Sequence, residues 1–533
     1  MTEMNAVSGD EVPVLIVGGA YTGLSTALGL AWRGGRSLLV ERRPTTATLP
    51  KAWGLNMRTT ELLRNIPGVE ASLQAAEITG KLVQHRAGAS LVASEVVESD
   101  TEQILALRRR VTSTLPQVLP QSTVEKTLRE QAERLGADVR YGTELVSWTQ
   151  AEDGVTATLR DVASGQESTV HAEYLVAADG HASPIRDRLG VPLDGGGQVG
   201  HIYVVTFEAD LPQYTQDKQP FVVTVRGRGM SIIFDGNLLT LWVDYFPEKG
   251  EGDADFTEDR CVERVRRAVG IPDLDCRIVN TRSFALNHHL ARQFKVGRVI
   301  LAGDAAHSCP PVGGQGGSLA LQDGYELAWR LALVTGGQAG PGLLDAWEVE
   351  RRPIVNITLE REVELLKIAE GRVLATSDPS QPIPTAKEML GFRYRSSTVR
   401  TELEDDLSLQ EDPMNPSGFP GTRAPHVRLR RDRTELSTQE LFGPGFVLLT
   451  DPDGISWLGA ADKVSESLGL DIASHTIGTE LVDTEDTWHS RYGIGAGGAV
   501  LVRPDGVIAW RSKTAAGDPE HELDEALTAI LAR

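Results

Sequence analysis

The sequence predicts an α/β protein: a doubly wound, mostly parallel sheet, an all-strand insertion and a compact C-terminal tail. Three observations predict it. A strand, a glycine turn, a helix and a second strand follow one another within about 30 residues at the N-terminus. Residues 198 to 247 are rich in Val, Ile, Phe, Tyr and Thr. A proline-bearing stretch over 376 to 425 sets off a last segment of about 100 residues. At 533 residues the chain is also too long for one core, and its length suggests roughly three domains.

Taken in order, residues 12 to 17 are a short apolar run suited to a buried parallel strand. Leu24, Ala27, Leu28 and Ala31 follow at helical spacing, and 37 to 41 read as a second buried strand. Residues 121 to 135 carry a helical period through Val124, Leu128, Ala132 and Leu135. The segments 143 to 149, 155 to 160 and 168 to 171 alternate like antiparallel strands ahead of an apolar run at 174 to 178. The 198 to 247 stretch, broken at Asp235-Gly236-Asn237, suits a cavity wall. Residues 298 to 302 form another apolar strand, and 319 to 334 a helix stopped by Gly336-Gly337. A long helix is expected over 345 to 369, broken near Pro353. Seven prolines from Pro379 to Pro425 mark a linker, and the tail beyond it carries strands at 446 to 450 and 499 to 502.

Lys and Arg number 53 against 74 Asp and Glu, a formal net charge of -21. Such a surface repels phosphate backbones and anionic headgroups, which argues against nucleic-acid and membrane partners. Cys261, Cys276 and Cys309 form no CxxC pair and no metal or disulfide spacing, so a reducing cytoplasm and a metal-free site are expected. The uncharged stretch from 12 to 32 is long enough for a membrane span, but Gly18, Gly19, Gly23 and Gly29 interrupt it. Glu3, Asp10 and Glu11 precede it, where a signal peptide carries basic residues.

Three motifs carry chemistry. Gly18-Gly19-Ala20-Tyr21-Thr22-Gly23 lies between strand and helix, with Glu41 closing the next strand. Glycine frees the turn, the helix N-terminus offers N–H groups and a positive dipole end to a pyrophosphate, and the carboxylate accepts from ribose hydroxyls. Ala20 stands where a middle glycine is usual and adds a methyl where backbone and phosphate approach. The second motif runs from Tyr174 to Arg186 through Asp179-Gly180; taken alone it is equally a capped strand-to-helix junction. The third, 297 to 318, is the most specific. Asp304 ends a buried strand where it can hold a polyol, Pro310 and Pro311 stiffen the next step, and the glycines from Gly313 to Gly317 let backbone pass flat against a planar ring. The helix that follows points its N-terminus at that ring, where it favours negative charge on a reduced flavin.

On these motifs the chain resembles the flavoprotein aromatic hydroxylases, class A flavin monooxygenases, in the branch acting on anthracycline- and angucycline-type polyketides. The likeness extends to Arg58, Glu61, Gln121, Gln322-Asp323, Leu327 to Leu331, Glu350 to Pro353, Gly421 to His426 and Gly498 to Gly506. It implies a Rossmann-like, glutathione-reductase-like FAD-binding domain over 1–75, 111–190 and 286–375. A substrate-binding sheet over 76–110 and 191–285, a linker over 376–424 and a thioredoxin-like domain over 425–533 complete it. Lacking CxxC, that last domain is expected to serve packing or dimer contact.

The resemblance implies non-covalent FAD held by Gly18, Ala20, Gly23, Glu41, Arg42, Gln121, Asp179, Asp304, Pro311, Gly313, Gly314, Gly316, Gly317 and Ser318, the last where the family usually has Asn. Gln121 and Asp304 fall to the ribityl and pyrophosphate part. With one dinucleotide fingerprint, NADPH or NADH is a transient reductant. By the same resemblance, dioxygen is expected to react at flavin C4a and the resulting hydroperoxide to hydroxylate a phenolic ring, in antibiotic biosynthesis. Pro311 and Arg372 are the candidate catalytic residues, Arg372 as a phenolate stabiliser or as a solvent-facing cation at a helix end. Tyr245 and Trp242 read as core, and His307 as structural. Rival readings are a Baeyer–Villiger or epoxidising oxygenase, an antibiotic-modifying monooxygenase and a flavin-binding accessory protein; the absence of Trp-x-Trp-x-Ile argues against a halogenase. A monomer or homodimer is expected.

Overall fold

The structure, a computed structural model, describes residues 10–48, 51–76, 83–97, 101–226, 230–236, 238–369, 385–402 and 407–533. Strand β1 (Asp10–Val17) lies at the heart of an eight-stranded sheet. Its neighbours are β2 (Ser37–Glu41) on one side and Glu167–Ala177 on the other, both parallel, with Asp138–Tyr141 and Val299–Leu301 extending the parallel order outward. Val14, Leu15 and Ile16 are wholly buried, as a parallel strand covered on both faces requires. Helix α1 (Tyr21–Trp32) packs on this sheet and against the helix Gly316–Thr335.

The separate strands expected at 168 to 171 and 174 to 178 are one. Glu167–Ala177 pairs antiparallel with Val155–Asp161 along its first half and parallel with β1 from Val170 onward. One long strand thereby serves two neighbours, and the alternating half is simply the half with a solvated face.

The second sheet also has eight strands, with Cys276–Ala291, Leu193–Ala209, Leu239–Asp244, Met230–Phe234 and Phe221–Val225 in that spatial order. Alternation sorts its side chains. Tyr203, Val205, Phe207, Leu241 and Val223 join Cys261 and Val265 of the helix Glu258–Val269 in one core. Val204, Thr206, Ile233, Thr240 and Trp242 occupy the opposite face. Tyr245 is core, edge-on to Tyr203 and Phe256. Trp242 is not, because Leu241 and Val243 take the core-facing positions on either side of it.

In the tail, Ile472–Thr476, Phe446–Thr450, Ala499–Val502 and Ile508–Ser512 form a four-stranded mixed sheet under the helices Ser456–Leu468 and Pro519–Ile530, a thioredoxin-like arrangement. Two expectations need correction. The helix Gly342–Ala369 runs unbroken through Pro353; Val349, whose carbonyl loses its partner there, lies on the solvent-exposed side of the helix. The stretch read as a linker is packed in its described part. Leu390, Phe392, Tyr394, Val399 and Ala424 are buried, and isolated bridges join Arg393 to Thr422 and Arg423 to Val507. Irregular backbone tied down by single bridges and polar side chains leaves no periodic signature. Among the described residues no helix is long and apolar enough to cross a membrane.

Candidate active site

The glycine turns gather at the carboxyl ends of the parallel strands, where open α/β sheets place ligands. Gly18 follows β1 with φ +116°, and a Cβ there would lie 2.1 Å from the Ala178 carbonyl oxygen. Only glycine lets these two strand ends meet. Ala20 is the N-cap of α1 and supplies no side-chain cap, so with Gly23 in its first turn the helix leaves its first amides available. Glu41 accepts from the Gly19 amide at 2.8 Å and from the Arg43 amide at 2.9 Å. The acid expected to hold a ribose therefore also fastens the glycine turn to the neighbouring strand. Arg42 is exposed beside it.

Gln121 opens the helix Gln121–Arg134. Its side chain accepts from the Ala52 amide at 3.2 Å and donates to Glu125 at 2.6 Å. Asp179 Oδ2 accepts from the Ile185 amide at 3.3 Å, while Oδ1 is buried without a protein donor. Burial pushes this carboxyl above its ordinary range despite Ser183 and Ile185.

The third motif is braced from behind. Gly303 has φ +59° and meets the Thr22 hydroxyl so closely that a Cβ would lie 2.0 Å from it. The Gly303 amide donates to Asp323 at 2.8 Å, and Asp323 also pairs with His307 at 2.7 Å and Arg351 at 2.8 Å. Burial opposes ionisation there, yet His307 and Arg351 hold the Asp323 carboxyl at about 2. His307 thus shapes the loop. Asp304 is exposed to the crevice, whose enclosing walls desolvate it and push the carboxyl up against the pull of His307, His181 and Lys51.

Next, His307–Ser308 forms an edge strand against His289 and Leu290, stitching this loop to the second sheet. Pro311 and Gly313 are half-buried and Gly314 is exposed. Gly316 and Gly317 open the Gly316–Thr335 helix, which has neither a side-chain cap nor an acid in its first turn. Gly317 packs on Tyr21 and Ala52, which brings the two helix N-termini together. Ser318 is fully buried behind the loop, its Oγ accepting from the Asn56 amide at 3.0 Å. Arg372 lies outside the described residues.

Two uncapped helix N-termini, an acid open to the crevice and a buried carboxylate oxygen lacking a donor suit a dinucleotide that carries a polyol and a planar ring. Sequence reasoning passed over Tyr141, whose hydroxyl donates to the Gly19 carbonyl at 2.6 Å, and Glu362, which accepts from the Gly313 amide at 2.7 Å. Neither sits in a local motif that could have announced it.

Residues 11–362 match the family model for the FAD binding domain, and 417–533 that for the aromatic-ring hydroxylase C-terminal region. A 4-methyl-5-nitrocatechol 5-monooxygenase from a Burkholderia species is 39% identical, with 98% of each chain covered. An aklavinone 12-hydroxylase of Streptomyces purpurascens is 38% identical over 98% of this chain and 99% of its own. A solved ternary complex of aklavinone-11 hydroxylase with FAD and aklavinone superposes with a TM-score of 0.91 at 37% identity, covering 99% of this chain and 100% of the other. The fold, the crevice and these full-length likenesses agree, and the chain belongs to the FAD-dependent aromatic-ring hydroxylases, a family of flavoprotein monooxygenases.

Proposed function

We propose that this monooxygenase hydroxylates a polycyclic aromatic phenol of the polyketide type, in antibiotic biosynthesis, with NADPH or NADH as a transient reductant. One observation carries the reading: the loop bearing Asp304 runs on into His307–Ser308, the edge strand of the second sheet, so that the proposed ring and substrate would share a wall. Val204, Thr206, Ile233, Thr240 and half-buried Trp242 offer apolar area and an indole face, with two hydroxyls for orientation. Arg282 lies on the same face, opposite Val204. Lys51 has its pKa lowered first by desolvation and then by Arg43 and Arg282, while Asp304 acts on it the other way, which places these cations around one crevice. They would favour a substrate phenolate.

The cofactor assignment follows the same geometry. Gly18, Ala20 and Gly23 set the pyrophosphate on α1, and Glu41 and Arg42 meet the adenosine end. Gln121, Asp179 and Asp304 line the path of the ribityl chain. Pro311, Gly313, Gly314, Gly316 and Gly317 pass along the ring, toward which Ser318 retains only its hydroxyl proton. When bound, FAD accepts a hydride from the coenzyme and activates dioxygen for transfer of one oxygen atom to an aromatic ring. The chain's part would be to hold the ring beside a helix N-terminus, to exclude water and to hold the phenol as its anion. Buried clusters of their own support a discontinuous cofactor unit over 1–75, 111–190 and 286–375, a sheet unit over 76–110 and 191–285 and a tail over 425–533. The three free cysteines suit a cytoplasmic setting, as monomer or homodimer.

The nitrocatechol relative favours a second reading, a monocyclic substrate. FAD-loaded protein assayed with each coenzyme against polycyclic phenols and nitrocatechols separates them. The expected result is coenzyme oxidation stimulated by the polycyclic phenol, a product heavier by one oxygen, and a KM raised roughly tenfold or more by Trp242→Ala. Stimulation by nitrocatechols alone overturns the substrate class, a lactone or epoxide product overturns ring hydroxylation, and no stimulation by any phenol overturns the enzymatic reading.

A further inference from the structure

The loop between the prolines and the Gly316–Thr335 helix rests on a carboxylate that no motif announced. Glu362, from the helix Gly342–Ala369, is 1% exposed and accepts from the Gly313 amide at 2.7 Å. Contact is tight: a Cβ at position 313 would lie 2.1 Å from Glu362 Oε1. The charged and titratable groups facing it among the described residues are Glu388 of the helix Thr385–Leu390, Arg361 of its own helix and the Cys309 thiol of the loop. Arg361 does little to neutralise it, because its guanidinium sits 3.3 Å from Glu388 and is paired with Glu364 as well. Burial therefore dominates and, with Glu388 adding to it against the Gly313 amide, pushes the carboxyl up to about 7.

We propose that Glu362 is a positioning residue that takes up one solvent proton whenever the neighbouring flavin is reduced, so that its charge follows the redox state of the ring. This rests on the reading that the ring lies along the loop from Pro310 to Ser318. The balance is simple. The nicotinamide coenzyme gives a hydride to the ring, which becomes an anion, while the Glu362 carboxylate takes a proton from water and becomes a neutral acid. One negative charge stands in the crevice before and after. Two like charges facing each other across one strip of backbone would otherwise have to share a low-dielectric site.

The test is an anaerobic potentiometric titration of the FAD-loaded protein, read by flavin absorbance, from about pH 8 to about pH 9, where Glu362 is ionised beside the oxidised ring. Wild type is expected to take up two protons per two electrons there, one on the ring and one on Glu362, so its potential falls with pH twice as steeply as that of Glu362→Gln. A wild-type slope of one proton per two electrons overturns the proposal, with or without a folded variant. So does an equal slope in a yellow, FAD-retaining Glu362→Gln. A wild-type protein that never takes up FAD overturns the placement of the ring instead.

Discussion

Two pairs of carboxyl groups, one in each of two polar regions of this protein, are treated in opposite ways. In the seam between the Gly316–Thr335 and Gly342–Ala369 helices and the tail, Arg330, Glu350, Arg503 and Asp505 are almost completely buried. Arg503 donates to Glu350 at 2.7 Å and to Asp505 at 2.7 Å, Arg330 is paired with Glu350 and lies 3.6 Å from Asp505, and the Trp329 indole donates to Asp505 at 3.1 Å. Burial opposes the charge on both acids, yet the guanidiniums hold both carboxyls below their usual range. In the crevice, burial pushes Asp179 and Asp304 the other way, and Asp179 keeps a buried oxygen without a donor. Charges matched within the protein mark a place built to stay shut. The unmatched carboxyls of the crevice leave acceptors for donors from outside, such as the hydroxyls that the proposed ribityl chain would bring.

The sharpest way to break that contrast is to unmatch the seam. Arg503→Met leaves Glu350 and Asp505 buried with one remaining guanidinium, and removing one partner of a buried ion cluster costs about 3–5 kcal/mol. Urea unfolding of the FAD-loaded protein should register a loss of that size. Adding Glu350→Leu should recover part of it, because the double variant removes the stranded charge along with the lost cation. A single variant as stable as wild type would show that the seam's pairing contributes nothing to holding the tail in place.

Asp323 joins the two regions, since it braces Gly303 and His307 on the crevice side and Arg351 on the seam side. Its folded-state carboxyl sits at about 2 against an ordinary 3.8. A lowered value means stability that is present above the unfolded value and lost as pH falls through the folded one. Asp323→Asn should therefore be less stable than wild type by about 2 kcal/mol near neutrality, and the gap should close as pH falls from about 4 to about 2. Denaturation midpoints measured across that range check it, and a gap that stays constant would mean that packing, not the carboxylate's charge, is what Asp323 supplies.

The crevice was legible because its parts are contiguous. Gly18 to Gly23 and Gly303 to Ser318 are each a strand end, a turn that needs glycine and a helix start in unbroken sequence. The seam was legible only as scattered likenesses at Arg330, Glu350, Arg503 and Asp505, with nothing in the sequence to say that they meet. Pairing across 153 residues, as between Glu350 and Arg503, leaves no periodic trace. The packed strap at 385–402 and 407–424 hid for the same reason, since its contacts, such as the Tyr394 hydroxyl donating to Glu326 at 2.7 Å, run to distant helices. Trp242 was misread because a bare alternation does not say which face is the core.

The smallest effect sharpens the crevice side. Ala20 is both the N-cap of α1 and the residue that stands where glycine is usual in the phosphate turn. As an N-cap, alanine is among the poorest choices and glycine better by a few tenths of a kcal/mol or more. In the proposed phosphate turn, its methyl would occupy space that the backbone otherwise offers to the ligand. Both terms run the same way, so Ala20→Gly should raise stability slightly and tighten FAD binding by less than tenfold, under about 1.4 kcal/mol. Titrating apoprotein with FAD and following the quenching of flavin fluorescence measures it. Weaker binding would mean that the methyl packs against the cofactor instead of crowding it, and that the pyrophosphate sits elsewhere on the α1 N-terminus.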